Sequence, residues 1–177
     1  MEYGSSDCPV LELPESYRRY LRALTRQRAA APEPWSTETY HDLGILFYEA
    51  KEDIERRYKR LGSGRRRTVY DNGGCVFKLD ERTVSNLAEW RAWERLKGTP
   101  RAKHFAPALA LLDNGEILLM QKAQVSSVDA GPALQACRLL KQKKEEVRCD
   151  DLHWQNVGFI DGEPVLIDYE DFSDESP

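Results

Sequence analysis

Asp151-Leu152-His153-Trp154-Gln155-Asn156 runs into Val157-Gly158-Phe159-Ile160, then a turn at Asp161-Gly162, then Val165-Leu166-Ile167-Asp168, and this stretch decides how the chain reads. An Asp-Gly pair between two apolar runs predicts a tight hairpin, because both central positions of such a turn need positive φ. Asp151 and Asn156 stand five apart on the loop leading in. The returning strand then sets Asp168 beside them, so three oxygen-bearing side chains converge on one point. That set suits a hard divalent cation bridging phosphates, with a carboxylate left to orient an attacking hydroxyl.

These residues resemble the catalytic loop and metal-binding strand of the protein-kinase-like superfamily, especially its aminoglycoside-phosphotransferase and Rio-like branches. Small kinase-like proteins encoded by bacteriophages are similar too. The family pattern D-x-x-x-x-N carries a catalytic carboxylate and a magnesium-binding amide, which fall on Asp151 and Asn156. Asp168, 12 residues beyond Asn156, matches the metal-binding Asp of D-F-G. Alone, D-x-x-x-x-N reads more often as an ordinary hairpin with acidic ends than as such a site. The upstream residues decide between the two.

Lys78 ends the β-rich run Cys75-Val76-Phe77-Lys78 after an Asn72-Gly73-Gly74 turn, as the family's strand lysine does. Before it, Leu61-Gly62-Ser63-Gly64-Arg65-Arg66-Arg67-Thr68-Val69 resembles the Gly-rich loop G-x-G-x-x-G-x-V with Arg67 in place of the third glycine. Gly62 and Gly64 still allow close backbone approach to phosphates. Thr83 to Lys97 reads as an amphipathic helix with Leu87, Trp90, Trp93 and Leu96 at helical spacing. Both tryptophans read as packing. In the family this helix supplies a glutamate for the strand lysine, and Glu89 fits that role better than Glu94; the plain alternative is a solvated helix glutamate.

Ala108 to Leu112 and Glu116 to Met120, joined by Asp113-Asn114-Gly115, predict a second hairpin that completes a five-stranded sheet. By order along the chain, Gln121-Lys122-Ala123 resembles the hinge that reads the adenine edge through backbone groups, with Met120 at the back of the pocket. Gly-rich turn, strand lysine, helix glutamate, two strands, hinge, helix, catalytic loop and metal aspartate appear in the family's order across residues 59 to 171. The order carries more than any single motif.

Residues 1 to 58 lie outside the resemblance. Pro14 to Ala30 predicts a helix with Tyr17, Tyr20, Leu21 and Leu24 on one face and Arg18, Arg19, Arg22 and Arg26 around the rest. A basic stripe can meet nucleic acid or acidic membrane, but the chain carries net charge −4, so the solvated-face reading is preferred. Ala29 to Pro34 reads as a linker. A second helix starts near Thr37 as N-cap, with Tyr40, Leu43, Leu46, Phe47, Ala50 and Ile54 on its apolar side. Both helices are expected to pack on the body.

With 177 residues, 41% of them hydrophobic, the chain can supply one real core. The sequence has no apolar run of membrane-spanning length and no secretion-signal pattern at Met1 to Leu13. Cys8, Cys75, Cys137 and Cys149 lack metal-ligand spacing, so reduced thiols in a cytoplasmic setting are expected. Between hinge and Asp151 there is room for about one helix, Pro132 to Lys143, with Leu134, Cys137, Leu139 and Leu140 inward. Nine residues follow Asp168, so neither an activation segment nor peptide-binding helices are expected. Cys149-Asp150 replaces the family's His-Arg, His153 stands at a position shared with small-molecule phosphotransferases or serves as a structural loop histidine, and Tyr169-Glu170 replaces Phe-Gly.

The expected fold is α+β and protein-kinase-like. Residues 1–58 form an N-terminal helical extension, 59–123 an N-lobe with a five-stranded antiparallel sheet, one helix and the hinge, and 124–177 a minimal C-lobe. The resemblance implies ATP under Gly62, Ser63, Gly64 and Val69, adenine against Gln121 and Ala123, and Lys78 held by Glu89. It further implies magnesium on Asn156 and Asp168, with Asp151 as general base. The function read from this is ATP- and Mg-dependent phosphoryl transfer to a protein hydroxyl or to the chain itself. A nucleotide-binding pseudokinase acting through a protein partner and a small-molecule kinase stand as alternatives. ATP and a protein substrate are the expected partners, without membrane or nucleic acid, and a homodimer is left open.

Overall fold

The computed structural model describes residues 8–31, 33–64, 67–125 and 130–173. Helices α1 (Glu15–Ala30) and α2 (Thr37–Arg57) lead into strands β1 (Arg60–Ser63), β2 (Arg67–Asn72) and β3 (Cys75–Asp80), and then helix α3 (Val84–Leu96). Strands β4 (Ala108–Leu112) and β5 (Ile117–Gln121) follow, then α4 (Ala130–Gln142), a short α5 (Lys144–Val147) and the hairpin β6 (Val157–Ile160) and β7 (Glu163–Leu166). The result is a mixed α+β architecture with a five-stranded antiparallel sheet in the order β1-β2-β3-β5-β4. β6 and β7 form their own two-stranded sheet. Its Asp161-Gly162 turn has φ +52° and +82°, as the sequence predicts for a tight Asp-Gly hairpin.

Strand alternation divides the large sheet into two faces. Tyr70, Phe77, Leu79 and Ile117 point to one side, where they pack with Tyr17, Tyr20 and Leu24 of α1 and Phe47, Ala50 and Ile54 of α2. The N-terminal helices thus cover this outer face. Leu118 and Met120 point to the other side and join Ala92, Trp93 and Leu96 of α3, Ala136, Cys137 and Leu140 of α4, and Val165 and Leu166 of β7. Trp90 packs at the edge of the same cluster, so both tryptophans serve packing.

Several local expectations shift. The cap of α2 is Ser36, whose Oγ accepts from the Thr39 N–H at 3.2 Å, because Ser36 is extended while Thr37 already lies in the helix. Tyr40 is exposed and contacts Trp35 instead of the core. On α4 the buried stripe is Ala133, Ala136, Cys137 and Leu140, at i, i+3, i+4 and i+7, which leaves Leu134 and Leu139 exposed on the flanks. Small alanines let that helix approach β6 and β7. The basic stripe of α1 meets acids of this chain, with Arg22 on Glu15 and Arg19 on Glu49, each at 2.5 Å. Among the described residues no helix is long and apolar enough to cross a membrane.

The four cysteines are not all thiols. Cys8 and Cys75 form a disulfide with Cα atoms 5.2 Å apart, overturning the reduced-thiol expectation for this pair. The cause is local docking of the N-terminal segment on the β2–β3 turn. The Asn72 Nδ2 donates to the Pro9 carbonyl at 3.0 Å, and Gly73, at φ +71°, leaves so little room that a Cβ would lie 3.1 Å from the Pro9 ring. Cys137 and Cys149 are free, and burial pushes the Cys149 thiol up to about 12, which makes it a poor nucleophile.

Glu116 lies wholly buried where α1 meets the sheet, and its Oε2 accepts from the Tyr17 hydroxyl at 3.3 Å. Burial pushes its carboxyl from the usual 4.5 to about 7. Tyr17, Tyr20 and Arg28 of α1 and Asp113 of the adjoining turn are the charged or titratable groups around it. The folded state therefore holds a proton that the unfolded chain releases near 4.5. Stability is expected to fall as pH rises from about 4.5 through about 7, by on the order of 3 kcal/mol. Glu116→Gln should flatten this slope in urea denaturation series across that range, and an unchanged slope would assign it to another group.

Candidate active site

The β2–β3 hairpin places Val69 opposite Lys78, and Val76 and Lys78 share the inner face of β3. An aspartate at the end of the same strand sets the helix that must meet them. Asp80, 0% exposed, accepts from the Ser85 and Asn86 N–H groups at 2.9 and 3.2 Å and so caps α3, a task the Thr83 side chain leaves undone. The Asn86 Nδ2 then donates to the Lys78 and Glu116 carbonyls, each at 3.0 Å, stitching α3 to β3 and β5. Glu89, one turn further along, is carried directly onto Lys78.

Glu89 is the hub. Its carboxylate, 0% exposed, accepts from the Lys78 Nζ at 2.9 and 2.7 Å, from the Arg67 Nη1 at 2.6 Å and from the Tyr169 N–H at 3.1 Å. Glu94, the rejected candidate, pairs with Lys97 on the surface. Lys78 also donates to the Ile167 carbonyl at 2.6 Å, which ties the strand lysine to the residue before Asp168.

On the loop, the Asn156 Nδ2 donates to the Asp151 carbonyl at 3.1 Å and to its Oδ2 at 3.2 Å. The Ile167 N–H reaches the Asn156 carbonyl at 2.9 Å, so the end of β7 lies against this loop as the hairpin reading expects. The Asp151 side chain is 60% exposed, and the His153 Nε2 lies 3.5 Å from its Oδ1. His153 is thus a neighbour of the carboxylate, within the loop. Gln124 exchanges two backbone hydrogen bonds with Phe159, at 2.8 and 2.9 Å, joining the segment after Gln121 to β6. Gly158 allows that closeness, since a Cβ there would lie 2.7 Å from the Ala123 Cβ.

Gly62 and Ser63 lie on β1 with Gly62 opposite Val69, and the Gly64 N–H donates to the Arg67 carbonyl at 2.9 Å. Residues 65 and 66 of the Gly-rich stretch lie outside the described residues. A Cβ on Gly62 would meet nothing within 4 Å, so open space lies over this part of the hairpin. Gln121 ends β5 and pairs with the Pro107 carbonyl at 2.9 Å, while Lys122 pairs outward with Asp71 at 2.7 Å. Met120 is buried on the inner face of β5.

Asp168 is held by Arg67. The guanidinium is 8% exposed; its Nη2 bonds the Asp168 Oδ1 and lies 3.5 Å from the Glu170 Oε2. Burial would raise the Asp168 carboxyl, but Lys78 and Arg67 outweigh it and hold the group below the usual carboxylate range. Burial would lower Arg67, and Glu89 and Asp168 instead keep it firmly charged. Tyr169 is wholly buried, and its hydroxyl donates to the Ala106 carbonyl at 2.8 Å.

Sequence order brought Lys78, Glu89, Asp151, Asn156 and Asp168 into view but not the part played by Arg67, Asp80, Asn86 or Tyr169. Arg67 left a signal in the alternation: two residues before Val69 on β2, it must share the inner face with Lys78. No family model matches the chain, and no curated protein matches it.

An oxygen-loving cation fits this donor set in kind. Asn156 directs its amide N–H groups at Asp151, which leaves its Oδ1 for a metal, and Asp168 offers a carboxylate. Among the described residues, no group of three His, Cys, Asp or Glu side chains converges as a metal site. Magnesium here would therefore draw the rest of its shell from phosphates and water, its usual habit in nucleotide sites. The Asp168 Oδ1 is already taken by Arg67.

Proposed function

We propose that the chain is a protein-kinase-like phosphotransferase that uses ATP and magnesium to phosphorylate a hydroxyl group on a protein or on itself. The observation that carries this reading is the buried Lys78–Glu89 pair bonded through the Ile167 carbonyl to the segment after β7 that carries Asp168. Asp151 and Asn156 lie against that same segment. Lys78 on β3, Glu89 on α3 and the Asp151–Asp168 stretch are separate parts of the chain, and their linkage through Ile167 and Asn156 supports this reading over an ordinary hairpin.

In this reading Glu89 holds the Lys78 ammonium near the α- and β-phosphates, which it would meet by exchanging the Ile167 carbonyl for a phosphate oxygen. Asn156 and Asp168 would hold magnesium, which when bound neutralises charge between the outer phosphates. Asp151, exposed at the mouth, accepts the proton of the acceptor hydroxyl as its oxygen attacks the γ-phosphorus and ADP leaves. Gln121 and Ala123 offer backbone groups to the adenine edge, and Gly62, Ser63, Gly64 and Val69 form the roof.

Radiolabelled ATP tests this directly. Asp151→Asn is expected to lower transfer by about 10²- to 10⁴-fold, the usual effect of losing a general base, while the exposed position spares stability. Asp168→Asn should also abolish most transfer. Equal labelling by wild type and both variants would sink the proposal.

The Arg67 guanidinium on Asp168 supports a second reading, a nucleotide-binding pseudokinase that acts on a protein partner. Such a protein would gain thermal stability with ATP and magnesium yet transfer no label.

A further inference from the structure

We infer that Arg67 is a resident counter-cation of Asp168 that competes with a divalent metal ion for this carboxylate, and that it yields the carboxylate when a polyphosphate offers the guanidinium new partners. The inference rests on the phosphotransferase reading of the same site and concerns the order in which the site fills.

The buried charges at the site are already matched. Lys78 is engaged by both oxygens of Glu89 and by the Ile167 carbonyl. Arg67 spans the gap between Glu89 and Asp168 with its two terminal nitrogens, and Glu170 stands 3.5 Å away on the Asp168 side. A planar guanidinium can bridge two carboxylates in this way; a compact ammonium cannot. A metal ion on Asp168, whose side chain is 37% exposed, would bring at least two positive charges against the buried guanidinium of Arg67. Metal and guanidinium therefore exclude one another.

Displacing Arg67 by metal alone would leave a buried cation short of a partner, which is costly. A polyphosphate changes that balance, because guanidinium pairs with phosphate oxygens in the same forked geometry it uses for carboxylates. Arg67 lies on the inner face of β2 beside Val69, the side on which Lys78 also lies. Nucleotide thus releases Asp168, and metal and nucleotide help one another to bind.

The test uses the full chain and two probes that do not chelate each other: Mn²⁺ without nucleotide, its free fraction read by electron paramagnetic resonance, and fluorescently labelled ATP in EDTA, read by anisotropy. Arg67→Ala is expected to bind Mn²⁺ about tenfold more tightly than wild type or better, and to bind metal-free ATP about tenfold more weakly. Opposite movements mark the exchange, since general damage to the fold would weaken both. Arg67→Lys should tighten Mn²⁺ less than alanine and retain part of the metal-free ATP affinity. Arg67→Gln, checked for native circular dichroism, replaces the alanine variant if that one does not fold, with the same expectations. Equal Mn²⁺ affinity in wild type and variants overturns the competition and leaves the phosphotransferase reading standing. Failure of every protein to bind either probe overturns both.

Discussion

Glu89→Ala is expected to destabilise the protein by about 3–5 kcal/mol, the range for removing one partner of a buried ion pair. The reason is the number of groups that depend on this one carboxylate. Lys78, Arg67 and the Tyr169 N–H all donate to it, and the residue has no contact with solvent. Removing it strands two buried cations with the partly exposed Asp168 and Glu170 as the remaining acids. For a chain of this size the melting temperature should fall by about 10 °C. Glu89→Gln keeps an acceptor oxygen and the side-chain volume, so it should cost less than alanine while still leaving one positive charge unmatched. Thermal and urea denaturation of both variants measure this. A loss below about 1 kcal/mol for alanine would mean that solvent reaches the cluster and relieves it.

Reduction of the Cys8–Cys75 disulfide is expected to lower stability by about 4 kcal/mol on the chain-entropy model, because it opens a closed loop of 67 residues. Much of the stabilisation acts on the unfolded chain, which the cross-link keeps from separating the N-terminal segment from β3. Cys8→Ser should match reduced wild type closely. Cys75→Ser adds the burial of a hydroxyl at the start of β3 and should cost slightly more. Urea midpoints with and without dithiothreitol give the comparison. Identical midpoints would show that docking of Pro9 on the Gly73 turn suffices by itself.

Local signals told most about elements, and order along the chain told most about the site. The Asp161-Gly162 and Asn72-Gly73-Gly74 turns and the five strands are legible because backbone rules act over a few residues. Lys78, Glu89 and Asp168 were recognisable only as members of a sequence of parts. Arg67 stands where the Gly-rich pattern has a glycine, which hides a cation that strand alternation sets on the same face as Lys78. The disulfide was illegible for a different reason: its two cysteines meet through tertiary docking, and no local rule couples positions 67 residues apart. On α4 the apolar residues outnumber the space available, so periodicity alone chose Leu134 and Leu139 where packing selected the neighbouring alanines.

The two backbone bonds between Gln124 and Phe159, the Ala106 N–H on the Leu166 carbonyl at 2.8 Å, and Lys78 on the Ile167 carbonyl clamp the β6–β7 hairpin to the large sheet. The Tyr169 hydroxyl on Ala106 adds a further tie. Fastened at so many points, the hairpin holds a set position against the large sheet. In the phosphotransferase reading, the freedom of both parts is given up when the chain folds, and little of it would remain to oppose ligand binding.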